Sequence, residues 1–194
     1  MSGRPILIVP GWTNSGPEHW QSRWEREMPG CRRVQQRDWD HPDRGEWIAA
    51  LDNAVRAAPA PPVLVAHSLG CLAVAWWAAA FPAPVHGALL VAPVDVEQAD
   101  TPAELRSFGP VPIARLPFPS TVVASRSDPY AAFDRARAFA EAWGARLVDA
   151  GDAGHLNAAS GHGPWPQGER LLRELLEVMG TGERGEEEAC RGRS

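Results

Sequence analysis

The sequence alternates short strand-like runs with longer segments in which apolar residues recur every three or four positions. That recurrence is typical of amphipathic helices, whereas runs of four to six residues between turn signals are typical of buried strands. Alternating strands and helices predict an α/β fold, a three-layer α/β/α sandwich built on a mainly parallel six-stranded sheet. The predicted strands are Pro5–Val9, Arg33–Asp38, Val63–Ala66, Gly87–Val91, Thr121–Ala124 and Arg146–Asp149.

The ligand site of such a sheet lies at the carboxyl ends of the strands, near the point where the strand order reverses. With the order 2-1-3-4-5-6, this point falls between the first and third strands, beside the loops that follow Val9 and Ala66. The proline-rich segment from Asp100 to Pro119 is predicted to form a short helix and a loop over the site. We therefore expect the functional residues in these segments.

The length and composition of the chain indicate one domain. Its 194 residues are 44% hydrophobic, which is enough for one sizeable core. We predict that this domain spans residues 1–180 and that the charged, glycine-punctuated tail over residues 181–194 is disordered. The N-terminal apolar run is too short for a signal peptide, and no run approaches the ~20 residues of a membrane span. We expect a cytoplasmic protein without a membrane partner.

The charged and cysteine residues exclude several functional classes. All 19 basic residues are arginine, so the chain has no lysine for a Schiff base or a phosphate-binding P-loop. The net charge is −5 and no segment concentrates positive charge, so nucleic-acid binding is not expected. Cys31, Cys71 and Cys190 form no CxxC pair, so neither a disulfide framework nor a zinc site is indicated. We expect no cofactor.

The third predicted strand leads directly into the strongest candidate for a catalytic residue. Ser68 stands between that strand and a predicted helix, in an A-x-S-x-G pattern that begins at Ala66 and ends at Gly70. This context is typical of a nucleophile elbow, a tight turn that needs small residues on both sides of the serine. The amide of Leu69 is then available to stabilise an oxyanion. The alternative is that Ser68 only caps the helix.

The loop after the first strand is predicted to supply the second oxyanion donor. Gly11 lets the backbone turn there, which makes the amide of Trp12 our candidate. The same loop also fits an ordinary helix start, because Ser15 and Glu18 match a capping box with Pro17 in the first turn.

A serine nucleophile needs a base, and His155 is the candidate because it follows the last predicted strand in a glycine-rich loop. His67 is part of the elbow and is expected to bond to backbone through Nδ1. His162 is a rival base seven residues after His155.

The acid that orients the base could be either of two aspartates. Asp128 follows the fifth predicted strand and Asp95 follows the fourth, so both face the same edge of the sheet. Asp128 also has a purely structural interpretation, as the N-cap of a helix that begins at Pro129. The chain order Ser, Asp, His is the order that α/β-hydrolases use, and it favours Asp128.

An acidic loop after the second predicted strand could in principle bind a divalent cation. It contains Asp38, Asp40 and His41, but their spacing matches no ligand motif, and we expect no metal. Trp39, in the same loop, is expected to border the pocket or to pack.

Several of these segments together resemble the small lidless serine hydrolases typified by the retinoblastoma-binding serine hydrolase and its bacterial relatives. The resemblance implies a minimal α/β-hydrolase fold, a metal-independent reaction, no large lid domain, and a triad of Ser68, Asp128 and His155. It covers about Ile6 to Leu176 and leaves the tail after Gly180 outside the pattern. The matching segments are Val9-Pro-Gly-Trp, His67-Ser-Leu-Gly, Ser127-Asp-Pro-Tyr, Gly154-His-Leu-Asn-Ala and Ser160-Gly-His-Gly-Pro-Trp-Pro-Gln-Gly.

The sequence therefore predicts hydrolysis of a small carboxylic ester or amide through an acyl-enzyme. Ser68 would attack the carbonyl, His155 would carry the proton, Asp128 would orient the imidazole, and the amides of Trp12 and Leu69 would hold the oxyanion. The alternative is a protein-binding module of the same fold with a vestigial triad. A nucleotide-binding α/β protein is disfavoured because its glycine fingerprint and lysine are missing.

Overall fold

The computed structural model describes residues 3–177, which form a parallel six-stranded sheet between two layers of helices. The strand order is β2-β1-β3-β4-β5-β6 and every neighbouring pair is parallel, as predicted. The strands are β1 (Ile6–Val9), β2 (Cys31–Arg33), β3 (Val63–His67), β4 (Gly87–Val91), β5 (Ser120–Ala124) and β6 (Arg146–Asp149). The helices are α1 (Trp20–Glu27), α2 (Arg44–Arg56), α3 (Leu69–Ala80), α4 (Phe133–Trp143) and α5 (Pro166–Glu177).

The second strand is the one element that the sequence placed wrongly. The prediction was Arg33–Asp38, whereas β2 pairs with β1 over Cys31–Arg33. One further backbone bond joins the amide of Val34 to the carbonyl of Ile8 at 2.8 Å, and then the chain leaves the sheet. The Asp38 carboxylate ends this segment in a turn, because its Oδ1 accepts the amides of Asp40 and His41. A short edge strand of polar residues carries no hydrophobic alternation that could fix its position in the sequence.

The inner strands bury both faces, which explains their nearly continuous apolar sequences. In β1, Leu7 and Val9 pack on one side of the sheet, whereas Ile6 and Ile8 pack on the other. The first side is covered by α2, α3 and α4, and the second side by α1 and α5. The sandwich therefore has three layers, as predicted. Its largest fully buried side chains include Trp20, Trp24, Trp47, Trp77 and Trp143.

The chain between β4 and β5 forms a short cover at the carboxyl edge of the sheet. It contains the 3-10 helix Ala103–Phe108, which confirms the predicted short helix and loop. Two bonds tether this cover to the body of the protein. Trp76 Nε1 donates to the carbonyl of Phe108 at 2.7 Å, and Trp143 Nε1 donates to the carbonyl of Pro112 at 2.8 Å.

Two expectations about the chain as a whole have different outcomes. No helix within residues 3–177 has the length and apolar character needed to cross a membrane. The predicted disordered tail at residues 181–194 lies outside the described residues. The division into a domain of residues 1–180 and a tail therefore stays a prediction.

Candidate active site

Ser68 lies at the corner between β3 and α3 with a backbone conformation that a serine rarely adopts. Its φ is 55° and its ψ is −123°. A positive φ in a residue with a Cβ is strained, and such strain is concentrated at functional positions. Ser68 does occupy the N-cap position of α3, but its side chain makes no capping hydrogen bond. The helix-cap alternative therefore does not account for the hydroxyl, whereas a nucleophile elbow does.

Two glycines let the loop after β1 approach this corner closely. A Cβ at Gly70 would overlap the carbonyl oxygen of Val9 and would lie 2.7 Å from that of Pro10. A Cβ at Gly11 would lie 2.8 Å from the Cβ of Ser68 and 3.2 Å from the amide nitrogen of Leu69. The glycines are therefore required by contacts between β1, its loop and the first turn of α3.

The two predicted oxyanion donors both line the same cavity as Ser68. Leu69 is the first residue of α3, where the amide has no acceptor within the helix. The loop that carries Trp12 is held in place by the segment around Trp39. Trp12 Nε1 donates to the carbonyl of Asp40 at 2.8 Å, and the amide of Thr13 donates to the carbonyl of Trp39 at 2.9 Å.

The capping box predicted in this loop is wrong. Helix α1 begins at Trp20, and its N-cap is His19, whose Nδ1 accepts the amide of Gln21 at 3.2 Å. The Ser15 hydroxyl instead donates to Gln21 Oε1 at 2.7 Å, and Gln21 Nε2 donates to the carbonyl of Val65. A turn over residues 16–19 delays the helix, because the amide of His19 bonds to the carbonyl of Gly16. Ser15 therefore lies too far from the helix start to cap it.

His155 is hydrogen-bonded to Asp128 and not to Asp95. His155 Nδ1 lies 3.0 Å from Asp128 Oδ1 and 2.9 Å from Oδ2, and both side chains are buried. Because a carboxylate only accepts, this nitrogen carries the proton, and Nε2 is left to act as a base. Asp95 instead lies 3.4 Å from Arg135 Nε and accepts the amide of Glu97. Helix α4 begins only at Phe133, so the prediction that Asp128 caps a helix starting at Pro129 is wrong.

His67 supports the other side of His155. Its Nε2 donates to the carbonyl oxygen of His155 at 2.9 Å, and the two ring centroids are 4.8 Å apart. The prediction that His67 would bond to backbone through Nδ1 therefore has the wrong nitrogen. Burial lowers the pKa of His67 well below its usual range, so the ring is neutral at pH 7.

His19 is a member of the site that the sequence did not point to. Its ring centroid lies 4.8 Å from that of His67, and it lines the cavity. Burial lowers its pKa to about 4, and its Nε2 is buried without a hydrogen-bond partner among residues 3–177. His19 lies in a loop before an amphipathic helix, and no spacing there distinguishes it from a surface histidine.

His162, the rival base, lies outside the residues that line the cavity. Its Nδ1 is 3.2 Å from the Ser160 hydroxyl, at the end of the loop that carries His155. That loop is fixed by a capping box between Asn157 and Ser160 and by Trp20 Nε1, which donates to the carbonyl of Leu156 at 2.8 Å.

The cavity has a volume of about 380 Å³ and lies at the carboxyl edge of the sheet. Loops that follow β1, β3, β4, β5 and β6 contribute to its wall, which places it at the predicted switch point. Its apolar part includes Leu69, Val94 and Leu105, which are almost fully buried. Ser68 and His155 both line it, but Ser68 Oγ makes no hydrogen bond to any described residue.

The acidic loop considered for a metal uses its carboxylate within its own turn. The two amides bonded to Asp38 lower the pKa of its carboxyl, and its Oδ2 lies 3.4 Å from His41 Nδ1. No group of three or more potential ligand side chains comes together anywhere in residues 3–177. Trp39 packs against Trp47, with ring centroids 5.6 Å apart, and does not line the cavity.

Comparisons with known proteins identify a family for the chain. The model of the serine hydrolase family matches residues 6–174. A protein described as a YdeN-like hydrolase, from Pectobacterium atrosepticum, is 35% identical with a TM-score of 0.81, covering 91% of this chain and 92% of its own. No curated protein matches the chain.

More distant structures support the fold alone. The ydeN gene product of Bacillus subtilis is 21% identical with a TM-score of 0.76, and the match covers 90% of this chain and 99% of its own. MGS-MChE2, an α/β hydrolase from a lagoon-sediment metagenome, is 15% identical with a TM-score of 0.67, covering 90% and 91%. The fold is therefore a minimal α/β-hydrolase fold.

Proposed function

This chain belongs to the serine hydrolase family, and from that premise we propose that it hydrolyses small carboxylic esters or amides through an acyl-enzyme on Ser68. The observation that carries the proposal is the bond between His155 Nδ1 and Asp128, in the same cavity as the strained Ser68. A buried carboxylate that orients an imidazole next to a serine is the arrangement that activates the serine hydroxyl for attack.

The first half of the reaction forms the ester of Ser68. Ser68 Oγ attacks the substrate carbonyl carbon while His155 Nε2 takes the hydroxyl proton, and Asp128 stabilises the imidazolium. The amides of Trp12 and Leu69 donate to the oxyanion. When the tetrahedral intermediate collapses, His155 returns the proton to the leaving alcohol or amine.

The second half repeats these roles with water. His155 takes a proton from water, the hydroxide attacks the acyl carbon, and the proton passes to Ser68 as the carboxylic acid leaves. Because Ser68 Oγ has no hydrogen bond here, we expect its bond to His155 to close when substrate binds, as catalytic hydrogen bonds often do. Each step uses only this chain and water, so the proposal needs no metal or cofactor.

Two narrower proposals accompany this one. We place the chain with the lidless hydrolases typified by the retinoblastoma-binding serine hydrolase, because the short 3-10 helix Ala103–Phe108 is the main cover of its cavity. We also propose a cytoplasmic location, which is supported by the free, buried cysteines Cys31 and Cys71.

The proposal predicts that a fluorophosphonate labels Ser68 and that Ser68→Ala abolishes the labelling. Ser68→Ala should also lose nearly all turnover of p-nitrophenyl butyrate, although ~10³-fold catalysis over water can survive through the oxyanion donors. Mass spectrometry of the adduct identifies the labelled residue. Ser107→Ala, which changes an exposed serine outside the cavity, is the matched control and should label like the wild type. A folded wild type that never labels would instead support the binding-module alternative.

A further inference from the structure

The charges on the cavity wall are all of one sign. The chain has 19 arginines, yet none is among the described residues that line the cavity, whereas Asp95 and Asp100 both are. Asp95 is also the aspartate that the sequence offered as a catalytic acid and that the mechanism does not use. Asp95 therefore contributes a negative charge to the wall without a role in the proposed reaction.

The two carboxylates are not fully neutralised by their neighbours. Asp95 shares the guanidinium of Arg135 with Glu97, so one positive charge faces two negative ones. Asp100 is exposed and forms no ion pair with any residue in the described part of the chain. At least two negative charges are therefore left at this side of the cavity.

Two histidines of the wall, His19 and His67, do not offset these charges at neutral pH. Burial lowers the pKa of His19 to about 4 and that of His67 well below its usual range, so both of these rings are neutral. The remaining polar groups of the wall are uncharged amides and hydroxyls, namely Thr13, Asn14, Gln98, Thr101, Tyr130 and Asn157. The net charge of −5 acts in the same direction over longer distances.

From this wall we propose that the enzyme selects esters or amides whose groups around the scissile bond are neutral or cationic, and that it discriminates against anionic ones. The inference rests on the proposed function and narrows its substrate class. The apolar side chains of Leu69, Val94 and Leu105 would accept a short alkyl acyl chain, while Asp95 and Asp100 repel a carboxylate or phosphate. Like charges about 4 Å apart repel by ~1 kcal/mol in bulk water and by more near a protein surface, and ~1.4 kcal/mol is a tenfold change in binding, so we expect an effect of roughly tenfold.

The same wall also acts on the products. Hydrolysis of a neutral ester releases a carboxylic acid, which ionises at neutral pH and becomes an anion inside a negatively charged cavity. The substrate is therefore tolerated and the acid product is repelled. This difference favours product release without any rearrangement of the site.

Three esters that share a butyryl group test the proposal. They are 4-butyryloxybenzoate, its neutral methyl ester, and the cationic 4-butyryloxy-N,N,N-trimethylanilinium, and each kcat/KM is divided by the rate of spontaneous hydrolysis of the same compound. All three form the same acyl-enzyme and differ only in the leaving group, and the division by the spontaneous rate corrects for the different intrinsic reactivity of each leaving group. We expect the anionic ester to be roughly tenfold poorer than the neutral one, and the cationic ester to be at least as good.

Two single substitutions test whether the carboxylates of the cavity wall cause the discrimination against the anionic ester. Asp100→Asn should raise the ratio of the anionic to the neutral kcat/KM several-fold. Glu104→Gln, which removes the same charge from an exposed position of the neighbouring 3-10 helix Ala103–Phe108, outside the cavity lining, should leave that ratio unchanged. High salt should also reduce the discrimination, because the Debye length falls to ~3 Å at 1 M.

The outcomes separate this inference from the proposed function. Equal kcat/KM for the anionic and neutral esters overturns the charge selection while Ser68-dependent hydrolysis stands. Equal effects of Asp100→Asn and Glu104→Gln also overturn it, because the net charge would then be responsible instead of the wall. Cleavage of none of the three esters, or equal cleavage by Ser68→Ala, overturns the proposed function and the inference with it.

Discussion

At the scale of single residues, His155 is held by two bonds that constrain different parts of it. Asp128 fixes the imidazole ring through Nδ1, and His67 fixes the backbone through the carbonyl oxygen. The ring also has Tyr130 against it, with centroids 4.5 Å apart. With Nδ1 occupied, Nε2 is the ring nitrogen that remains available for proton transfer.

Replacement of the two rival aspartates by asparagine separates their roles. Asp128→Asn should lower kcat for p-nitrophenyl butyrate by ~10⁴-fold, because an amide at this position favours the wrong tautomer of His155. Asp95→Asn should keep the rate within about tenfold, because its carboxylate bonds to Arg135 and the Glu97 amide instead. Rates are to be compared after circular dichroism shows that both variants are folded. A silent Asp95→Asn beside an active Asp128→Asn would contradict the assignment.

The sequence could predict these residues only where each followed a recognisable strand. Ser68, Asp128 and His155 follow the carboxyl ends of β3, β5 and β6, and the topology brings such positions to one edge. His19 and the true partner of Ser15 were missed because both depend on where α1 begins. A helix start that is set by a histidine cap and a preceding turn has no strong sequence signal.

At the scale of elements, the site depends on the approach of β1 and its loop to α3. Gly70 lies inside α3, where alanine would ordinarily be the better helix former by about 1 kcal/mol. A Cβ at this position would nevertheless overlap the carbonyl oxygen of Val9, which is backbone and paired in the sheet. Tertiary contact therefore overrides helix propensity at this residue.

Gly70→Ala is therefore expected to destabilise the protein despite its favourable propensity. We expect the free energy of unfolding in urea to fall by ~3 kcal/mol or more, because β1 and α3 must separate to admit a methyl group. Gly16→Ala is the matched control, since a Cβ there would meet nothing within 4 Å, and it should be neutral or slightly stabilising. A Gly70→Ala protein as stable as the wild type would show that the elbow is looser than this packing indicates.

Element boundaries were predictable where apolar residues fill a strand and unpredictable where they do not. The bounds of β4, whose five residues are all buried, are those predicted, Gly87–Val91. In contrast, β2 has one buried residue, Cys31, among its three. Its place is fixed by pairing with β1, which is long-range information that a local pattern does not contain.

At the scale of the whole molecule, the pH dependence of stability reflects His19 and His67, two buried histidines that line the cavity and are neutral at pH 7. Unfolding exposes His19 and His67 to water, where an imidazole has a pKa of ~6.5. In the folded protein, burial lowers both pKa values, that of His19 to about 4. Between pH 6.5 and 4 the unfolded chain therefore binds more protons, and stability must fall as the pH falls through this range.

The His19 part of this dependence can be isolated. A shift from 6.5 to about 4 corresponds to ~3 kcal/mol lost between neutral pH and pH 4. His19→Asn keeps an acceptor for the Gln21 amide but cannot titrate. Between neutral pH and pH 4, its unfolding free energy should therefore fall by ~3 kcal/mol less than that of the wild type. Ser107→Ala, at an exposed position that carries no titrating group, is the control and should keep the pH dependence of the wild type. The measurement is urea unfolding at pH 7, 5.5 and 4.5. If the unfolding free energies of His19→Asn and the wild type fall equally with pH, the assignment to His19 is refuted.

The tethered cover between β4 and β5 has a consequence for the fate of the acyl group. Bonds at Phe108 and Pro112 hold the cover in place, while Gln98, Pro102 and Pro129 line the cavity and are solvent-exposed. A covalent intermediate on Ser68 would therefore meet bulk water throughout its lifetime. Enzymes that transfer acyl groups to alcohols or amines must keep solvent away from the intermediate. The exposed rim formed by these described residues gives no such shelter, so we expect water to compete successfully with an alcohol or amine for the acyl group.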